Sequence, residues 1–253
     1  MTPIFFGNSS SPLFGTYHPP TGGGFLNKAV LICSPIVQEY IRSYKAIRDM
    51  AKLLSSRGYH VLRFDYSGIG DSAGLFSDAT LDDWLEDVTH ASNELIDVSG
   101  VKKISLLGIR FGGTLAVLSK EKLPVEKTVL WDPILDGKEY VNTMRLLHNE
   151  MLKDPMRFNS PRSTTDTYDN ELLGYMFNDK TLDSISGLNI DVSGVRIDEI
   201  DPNEWANNSE VKSNKKGGDV IFRLKDAGGW VDVQKMEDML LSSTVVNLIL
   251  NEF

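Results

Sequence analysis

The stretch Leu106-Leu107-Gly108-Ile109-Arg110-Phe111-Gly112-Gly113 decides the fold. It continues the apolar, strand-like run Lys103–Leu107 and leads into a short helical segment, Thr114–Leu118. Gly108 and Gly112 lie two positions either side of Arg110, which is the Gly-x-Ser-x-Gly spacing of a nucleophile elbow. The glycines have a steric reason: the central residue of such an elbow sits on a strained turn, and side chains at i−2 and i+2 would strike the neighbouring strand and helix. The apex here is arginine, which is always protonated and has no nucleophilic lone pair. The pattern therefore predicts the backbone of an elbow without its nucleophile.

Reading outward, the chain alternates between strand and helix patterns. Ala29–Cys33 and Thr128–Trp131 are unbroken apolar runs of the kind buried on both faces of a sheet, and Tyr59–Phe64 is strand-like. Between them, Ile41, Tyr44, Ile47, Met50, Ala51 and Leu54 recur at helical spacing and are expected to form one buried face ending at Gly58. Thr80 and Asp83 read as a helix cap, followed by the stripe Trp84, Leu85, Val88, Ala91, Leu95 and Ile96 and a stop near Gly100. Upstream, Ile4–Phe6 and Leu13–Tyr17 suggest a β-hairpin, and Gly22–Gly24 a linker. This rhythm predicts a mostly parallel α/β sheet with helices on both faces.

After Asp136 the alternation stops. Residues 138–191 are helix-prone, with Met144, Leu147, Met151 and Leu152 at helical spacing, then the polar run Asn159–Asp169, then Leu172–Ile190. An insertion this long between strands is expected to be a helical cap over the strands' C-terminal edge, dividing the chain into a core of residues 1–136 and 192–253 and an insertion of residues 137–191. Val195–Ile197 and Val220–Leu224 read as returning strands, and Met236–Leu250 as a closing helix.

Four segments together resemble the α/β-hydrolase superfamily. They are Pro35-Ile36-Val37-Gln38-Glu39-Tyr40, Arg63-Phe64-Asp65-Tyr66-Ser67-Gly68-Ile69-Gly70-Asp71-Ser72, the elbow, and Trp131-Asp132-Pro133-Ile134-Leu135-Asp136-Gly137. More narrowly, the chain resembles the exosortase A system-associated hydrolases, relatives of serine aminopeptidases that commonly carry a Gly-x-Arg-x-Gly elbow. The resemblance covers residues 4 to about 140 and thins beyond them. It implies the α/β-hydrolase fold and, by family, hydrolase activity. The superfamily orders its triad as nucleophile, acid and histidine, with the histidine after the last strand. This chain has His18, His60, His90 and His148 and none later, and the loop that should carry the base reads Lys225-Asp226-Ala227-Gly228-Gly229-Trp230. Asp132, Asp198 and Asp201 are candidate acids with nothing to orient. Ser-His-Asp chemistry is not expected.

The remaining site residues carry two readings each. Arg110, beside the Phe111 N–H at a helix N-terminus, could hold a carboxylate or phosphate, or could pair internally with Glu39 or Asp65. Glu39 could orient Arg110 or act as a general base, or be a structural salt-bridge partner. Pro35-Ile36 stands where the superfamily has His-Gly, so the Ile36 amide is an oxyanion-hole candidate. Asp65–Ser72 reads as an architectural turn needing positive φ at Gly68 or Gly70. Asp132 and His148, the latter where the insertion begins, complete the candidate ligand-lining set of Ile36, Phe111, Asp65, Asp132 and His148. Ser34, Ser67 and Ser72 are substitute nucleophiles lacking a base. Cys33 ends a buried strand and is expected to behave as a small hydrophobe. No metal-ligand spacing and no phosphate loop is present, and no cofactor is expected.

Composition narrows the partners. With 26 Lys+Arg against 35 Asp+Glu the net charge is −9, which argues against a nucleic-acid surface. Apolar runs such as Val245–Leu250 fall far short of the roughly 18 residues a membrane span needs. Met1–Gly7 lacks a secretory pattern, and a single cysteine fits a reducing cytoplasm. The sequence thus points to a pseudo-hydrolase binding an anionic acyl, sugar or carrier-linked small molecule through Arg110. The alternative is an enzyme of hydrolase, lyase or acyl-transfer type in which Arg110 stabilises charge and a carboxylate moves protons. A subunit with a collapsed pocket is a third reading.

Overall fold

Ala29–Cys33 (β3) is buried at every residue, and its alternate side chains serve opposite faces of one sheet. The structure, a computed structural model, describes residues 1–21, 26–160, 162–163, 167–200, 218–224, 230 and 243–253. Its strands continue with Thr2–Asn8 (β1), Ser11–His18 (β2), His60–Phe64 (β4), Ile104–Ile109 (β5), Val125–Trp131 (β6), Arg196–Ile200 (β9) and Val220–Leu224 (β10). These form an eight-stranded sheet in the order β1-β2-β4-β3-β5-β6-β10-β9. The N-terminal hairpin is antiparallel, as is its join to β4, and the other pairs are parallel.

Helices Leu81–Ser99 (α2) and Phe111–Lys120 (α3) cover one face through Trp84, Val88, Leu95, Phe111 and Leu115. Val37–Ser56 (α1) and Ser243–Leu250 (α6) cover the other through Ile47, Met50, Leu54 and Ile249. α2 begins with the expected capping box, in which the Thr80 N–H donates to Asp83 (2.8 Å) and the Asp83 N–H donates to the Thr80 hydroxyl (3.2 Å). It ends at left-handed Gly100.

Several elements differ from their sequence reading. In α1, Ile41 and Tyr44 are exposed (65% and 37%), and Glu39 and Ser43 lie on the buried face instead. At 100° per residue, positions 43 and 39 lie about 20° and 60° round the helix from buried Leu54, whereas 44 and 41 lie about 80° and 140° from it. α3 starts directly after Arg110 rather than at Thr114, and β9 runs to Ile200. The later strand β10 sits beside β6, with β9 at the edge. Residues 236–242 of the expected closing helix, and the Gly22–Gly24 linker, lie outside the described residues.

The segment after β6 comprises helix Gly137–Lys153 (α4), a small hairpin of Glu171–Leu172 (β7) and Tyr175–Met176 (β8), and helix Asp179–Ser186 (α5). Tyr140, Met144, Phe177, Leu182 and Ile185 join the same apolar cluster as α2 and α3, so this segment shares the core of the sheet. The Thr181 hydroxyl donates to the Ala79 carbonyl (2.9 Å), tying α5 to the start of α2. Among the described residues no helix is long and apolar enough to cross a membrane.

The turn after β4 has positive φ at both Gly68 and Gly70, as its sequence requires. It is anchored by Asp87 of α2, which accepts from the Ser67 N–H (2.7 Å) and hydroxyl (2.9 Å). Burial pushes the Asp87 carboxyl up from 3.8 to about 6, against the pull of the Ser67 hydrogen bonds. A raised native pKa contributes stability that is full below the unfolded value and is lost as pH rises through the native one. Wild type is therefore expected to gain up to about 3 kcal/mol relative to Asp87→Asn as pH falls from 7 to 4. Paired thermal melts across that range would read this out, and parallel curves for the two proteins would refute it.

Candidate functional site

β5 ends in a turn where Arg110 takes φ 52° and ψ −124°, a conformation unfavourable for a residue with a Cβ. Hydrogen bonds on both sides hold it: the Arg110 N–H donates to the Trp131 carbonyl (3.0 Å), and the Gly113 N–H donates to the Arg110 carbonyl (2.9 Å). The flanking glycines are sterically required. A Cβ on Gly108 would lie 2.5 Å from the Gly113 Cα, and one on Gly112 would lie 2.2 Å from the carbonyl oxygens of both Cys33 and Ser34.

The Arg110 guanidinium is shared between two carboxylates. Nε donates to Glu39 Oε1 (3.1 Å), while Nη1 donates to the Asp132 carbonyl (3.0 Å) and to Asp132 Oδ2 (3.3 Å). A bidentate contact with Glu39 alone does not form. Asp132, at φ 45° just after β6 and fixed by its N–H to the Phe222 carbonyl (2.7 Å), reaches the same guanidinium from the other side. The side chains of Arg110, Glu39 and Asp132 are 15%, 4% and 14% exposed, so all three charges are largely removed from water. The Trp230 indole lies over the guanidinium at 4.9 Å, and packs edge-on against Trp131.

Glu39 stands in the first turn of α1, where the helix dipole favours an anion. Burial nevertheless pushes its carboxyl up, opposed by Arg110. Burial disfavours the Arg110 cation in the same way, but Glu39 and Asp132 together outweigh this and hold it protonated. Glu39 Oε2 is buried with no hydrogen-bond partner, and so is the Tyr140 hydroxyl. Tyr140 stacks on Phe111 (5.8 Å) and lies within electrostatic reach of both Glu39 and Arg110.

Arg110, Glu39 and Asp132 thus meet at one point, with Ile36 capping α1 and Phe111 opening α3 beside them. Two candidates lie elsewhere. Asp65 accepts from the Tyr40 hydroxyl (2.7 Å) and the Asp71 N–H (3.0 Å), holding its own turn. His148 is buried and its Nδ1 accepts from the Leu173 N–H (3.0 Å), which binds the imidazole to the β7–β8 hairpin. Sequence reasoning missed Trp230 and Tyr140 as site residues. Trp230 ends the very loop that should carry the base, so its position was a signal, whereas nothing in the α4 pattern singles out Tyr140 from its core neighbours.

No histidine among the described residues is hydrogen-bonded to a serine. His60 bonds the Tyr17 hydroxyl, His90 faces Glu86 and His148 has Thr167 and Leu173, while burial followed by Arg63 depresses His18 to about 4. The Ser67 hydroxyl donates to Asp87 and that of Ser72 to the Asp65 carbonyl, so both serve the turn. Burial pushes the Cys33 thiol up to about 12, which rules out a resting thiolate at neutral pH. Asp198 pairs with Arg196 (3.2 Å) in β9. Asp201 and residues 225–229 lie outside the described residues. Among the described residues no cluster of His, Cys, Asp or Glu could hold a metal.

An eight-stranded, mostly parallel sheet with an elbow at the end of β5 defines the α/β-hydrolase fold, and solved structures agree. The chain superposes on mouse alpha/beta hydrolase domain-containing protein 10 with a TM-score of 0.55 at 18% identity, covering 98% of each chain. An esterase from Pyrococcus furiosus gives 0.55 at 14% identity, over 98% of this chain and 91% of the other. A protein from Agrobacterium vitis described as a hydrolase gives 0.56 at 18% identity, over 99% and 95%. At these identities the likeness is one of fold. The sequence pattern of the serine aminopeptidase S33 family matches residues 28–168, and the chain belongs to that family. A comparison with curated proteins finds no match.

Removing the guanidinium would leave two largely buried carboxylates facing one another. Arg110→Met is expected to destabilise the fold at neutral pH by about 3 kcal/mol or more. Without Arg110 the native carboxyls hold protons more tightly, so the deficit is expected to shrink as pH falls. Chemical denaturation at neutral and mildly acidic pH checks both points, and an unchanged midpoint at neutral pH would contradict them.

Proposed function

We propose that this protein is a pseudo-hydrolase, a member of its family in which the nucleophile serine is replaced by Arg110 and the fold binds a small anionic ligand without covalent catalysis. The observation that carries this reading is the division of labour in the guanidinium. Nε and Nη1 are committed to Glu39 and Asp132, whereas Nη2 makes no hydrogen bond to any described residue. That leaves a charge-assisted donor on the residue that precedes α3, a helix whose first N–H groups have no acceptor within it. A carboxylate or phosphate on an acyl, sugar or carrier-linked molecule matches these donors. The role of the two internal carboxylates is then to aim the arginine.

Residues 137–191 would serve as the cap, with α4 supplying Tyr140 to the site. The Gly-x-Arg-x-Gly elbow favours placing the chain with the exosortase A system-associated hydrolases, and its single, buried cysteine suits a cytoplasmic protein. One observation favours a second reading, in which Glu39 moves protons for an enzyme that needs no serine: its Oε2 is unpartnered beside Arg110.

Two measurements test the proposal. Fluorophosphonate probes are expected to leave both wild type and Arg110→Ser unlabelled, since no histidine is available to activate a hydroxyl. Acetate, propionate and inorganic phosphate are each to be titrated against wild type and Arg110→Lys, the latter keeping the charge but losing the fork. Binding of at least one anion to wild type, weakened in Arg110→Lys, is the expected result. Stoichiometric labelling of a serine, or no anion binding at all, would overturn the reading.

A further inference from the structure

The charge of this chain is divided across its sheet. On one face, α2 carries six Asp or Glu residues and no Lys or Arg. On the other, α1 and the residue after it carry Arg42, Lys45, Arg48, Lys52 and Arg57, none of them buried. Of the two acids in α1, Glu39 is buried against Arg110 and only Asp49 points outward. Asp49 lies 3.2 Å from Arg48 and 3.6 Å from Lys52, one carboxylate for two cations. Ile41, Lys45, Arg48 and Lys52 fall within about 60° of one another round the helix, on a line about 17 Å long facing away from the sheet. In a chain of net charge −9, this is a basic ridge that starts at an exposed isoleucine.

We propose that this ridge docks the protein on the surface of a bilayer containing anionic lipid, with its cations on the headgroups and Ile41 in the interfacial layer. Opposite charges on the two faces make the molecule a dipole, which presents α1 to a negative surface and turns α2 away. A second copy fits the ridge poorly. α1 against α1 would set like charges together, and α1 against the α2 of another copy joins opposite faces, a heterologous contact that stacks without closing. A nucleic-acid backbone would match the cations but leave Ile41 in water. A headgroup layer takes both, because long basic side chains reach the phosphates while the apolar one lies beneath them. The inner face of α1 is packed on the sheet through Ile47, Met50 and Leu54, so the outer line alone makes the contact. This docking is independent of any ligand at Arg110.

Co-sedimentation with vesicles of phosphatidylcholine, alone or mixed equally with phosphatidylglycerol, tests this. Wild type is expected to bind the mixed vesicles at low ionic strength, to ignore the neutral ones, and to be released at about 0.5 M salt. Each basic residue near an anionic surface is worth about fivefold in affinity, so Lys45→Gln/Lys52→Gln is expected to bind about 25-fold more weakly. Lys102→Gln/Lys103→Gln, exposed residues outside α1, changes the net charge equally and is expected to stay within about twofold of wild type. Melting curves confirm that each variant is folded. Cys33 is the only cysteine and is buried, so Ile41→Cys can be labelled alone with an environment-sensitive dye. Its emission is expected to shift to the blue on mixed vesicles and not with soluble polyglutamate. Failure of wild type to bind mixed vesicles at low salt overturns the proposal. Equal weakening of the two double variants overturns the assignment to α1. Binding without a blue shift, or the same shift with polyglutamate, overturns the bilayer in favour of an acidic protein partner.

Discussion

The shared ion pair of Arg110 with Glu39 and Asp132 is the constraint on which the rest of the site depends. The backbone of β5 and α3 fixes where the Arg110 Cβ points, and the hydrogen bonds to Glu39 and Asp132 hold the guanidinium beyond it. Once placed there it requires negative charge, since an unpaired buried cation would be driven toward unfolding or deprotonation, and arginine does not deprotonate. Glu39 and Asp132 meet that need from opposite sides, and Trp230 closes the guanidinium's face. Desolvation makes this pair of contacts a modest source of net stability and a strong source of specificity: few other arrangements of α1 and the β6 loop would satisfy all three charges.

This requirement explains departures from ordinary packing elsewhere. α1 turns Glu39 inward where an amphipathic helix would present an apolar residue, and leaves Ile41 exposed. Asp132 adopts a positive φ that an aspartate tolerates better than most residues, with its N–H anchored on β10. The strand order matters here. β10 lies directly beside β6, and Trp230 packs on Trp131 at the end of β6 while lying over the Arg110 guanidinium. The fold thus holds a fixed positive charge at the turn between β5 and α3.

Much of this architecture was legible in the sequence because it is written in local chemistry. The alternation of apolar runs with helical stripes, the Thr80–Asp83 cap, the glycines at 68, 70, 108 and 112, and the absence of any histidine after position 148 are properties of neighbouring residues. Steric and hydrogen-bonding rules act over a few residues, so these features translate directly into strands, caps and the elbow. Arg110 at the apex followed from the same reading, which offered Glu39 and Asp65 as its possible partners.

Tertiary structure decided everything that depends on which segments meet. Asp132 as the second partner, Trp230 over the guanidinium and Tyr140 beside Phe111 come from separate segments of the chain, and no local pattern says that all three meet at Arg110. The same holds for Asp65 and His148, which look available in sequence but are held by Tyr40, Asp71 and Leu173. Hydrogen bonds and ion pairs form between whichever groups burial brings within about 3 Å. The sequence by itself therefore determined the elements and the identity of the apex residue, and only the packing of those elements chose that residue's partners.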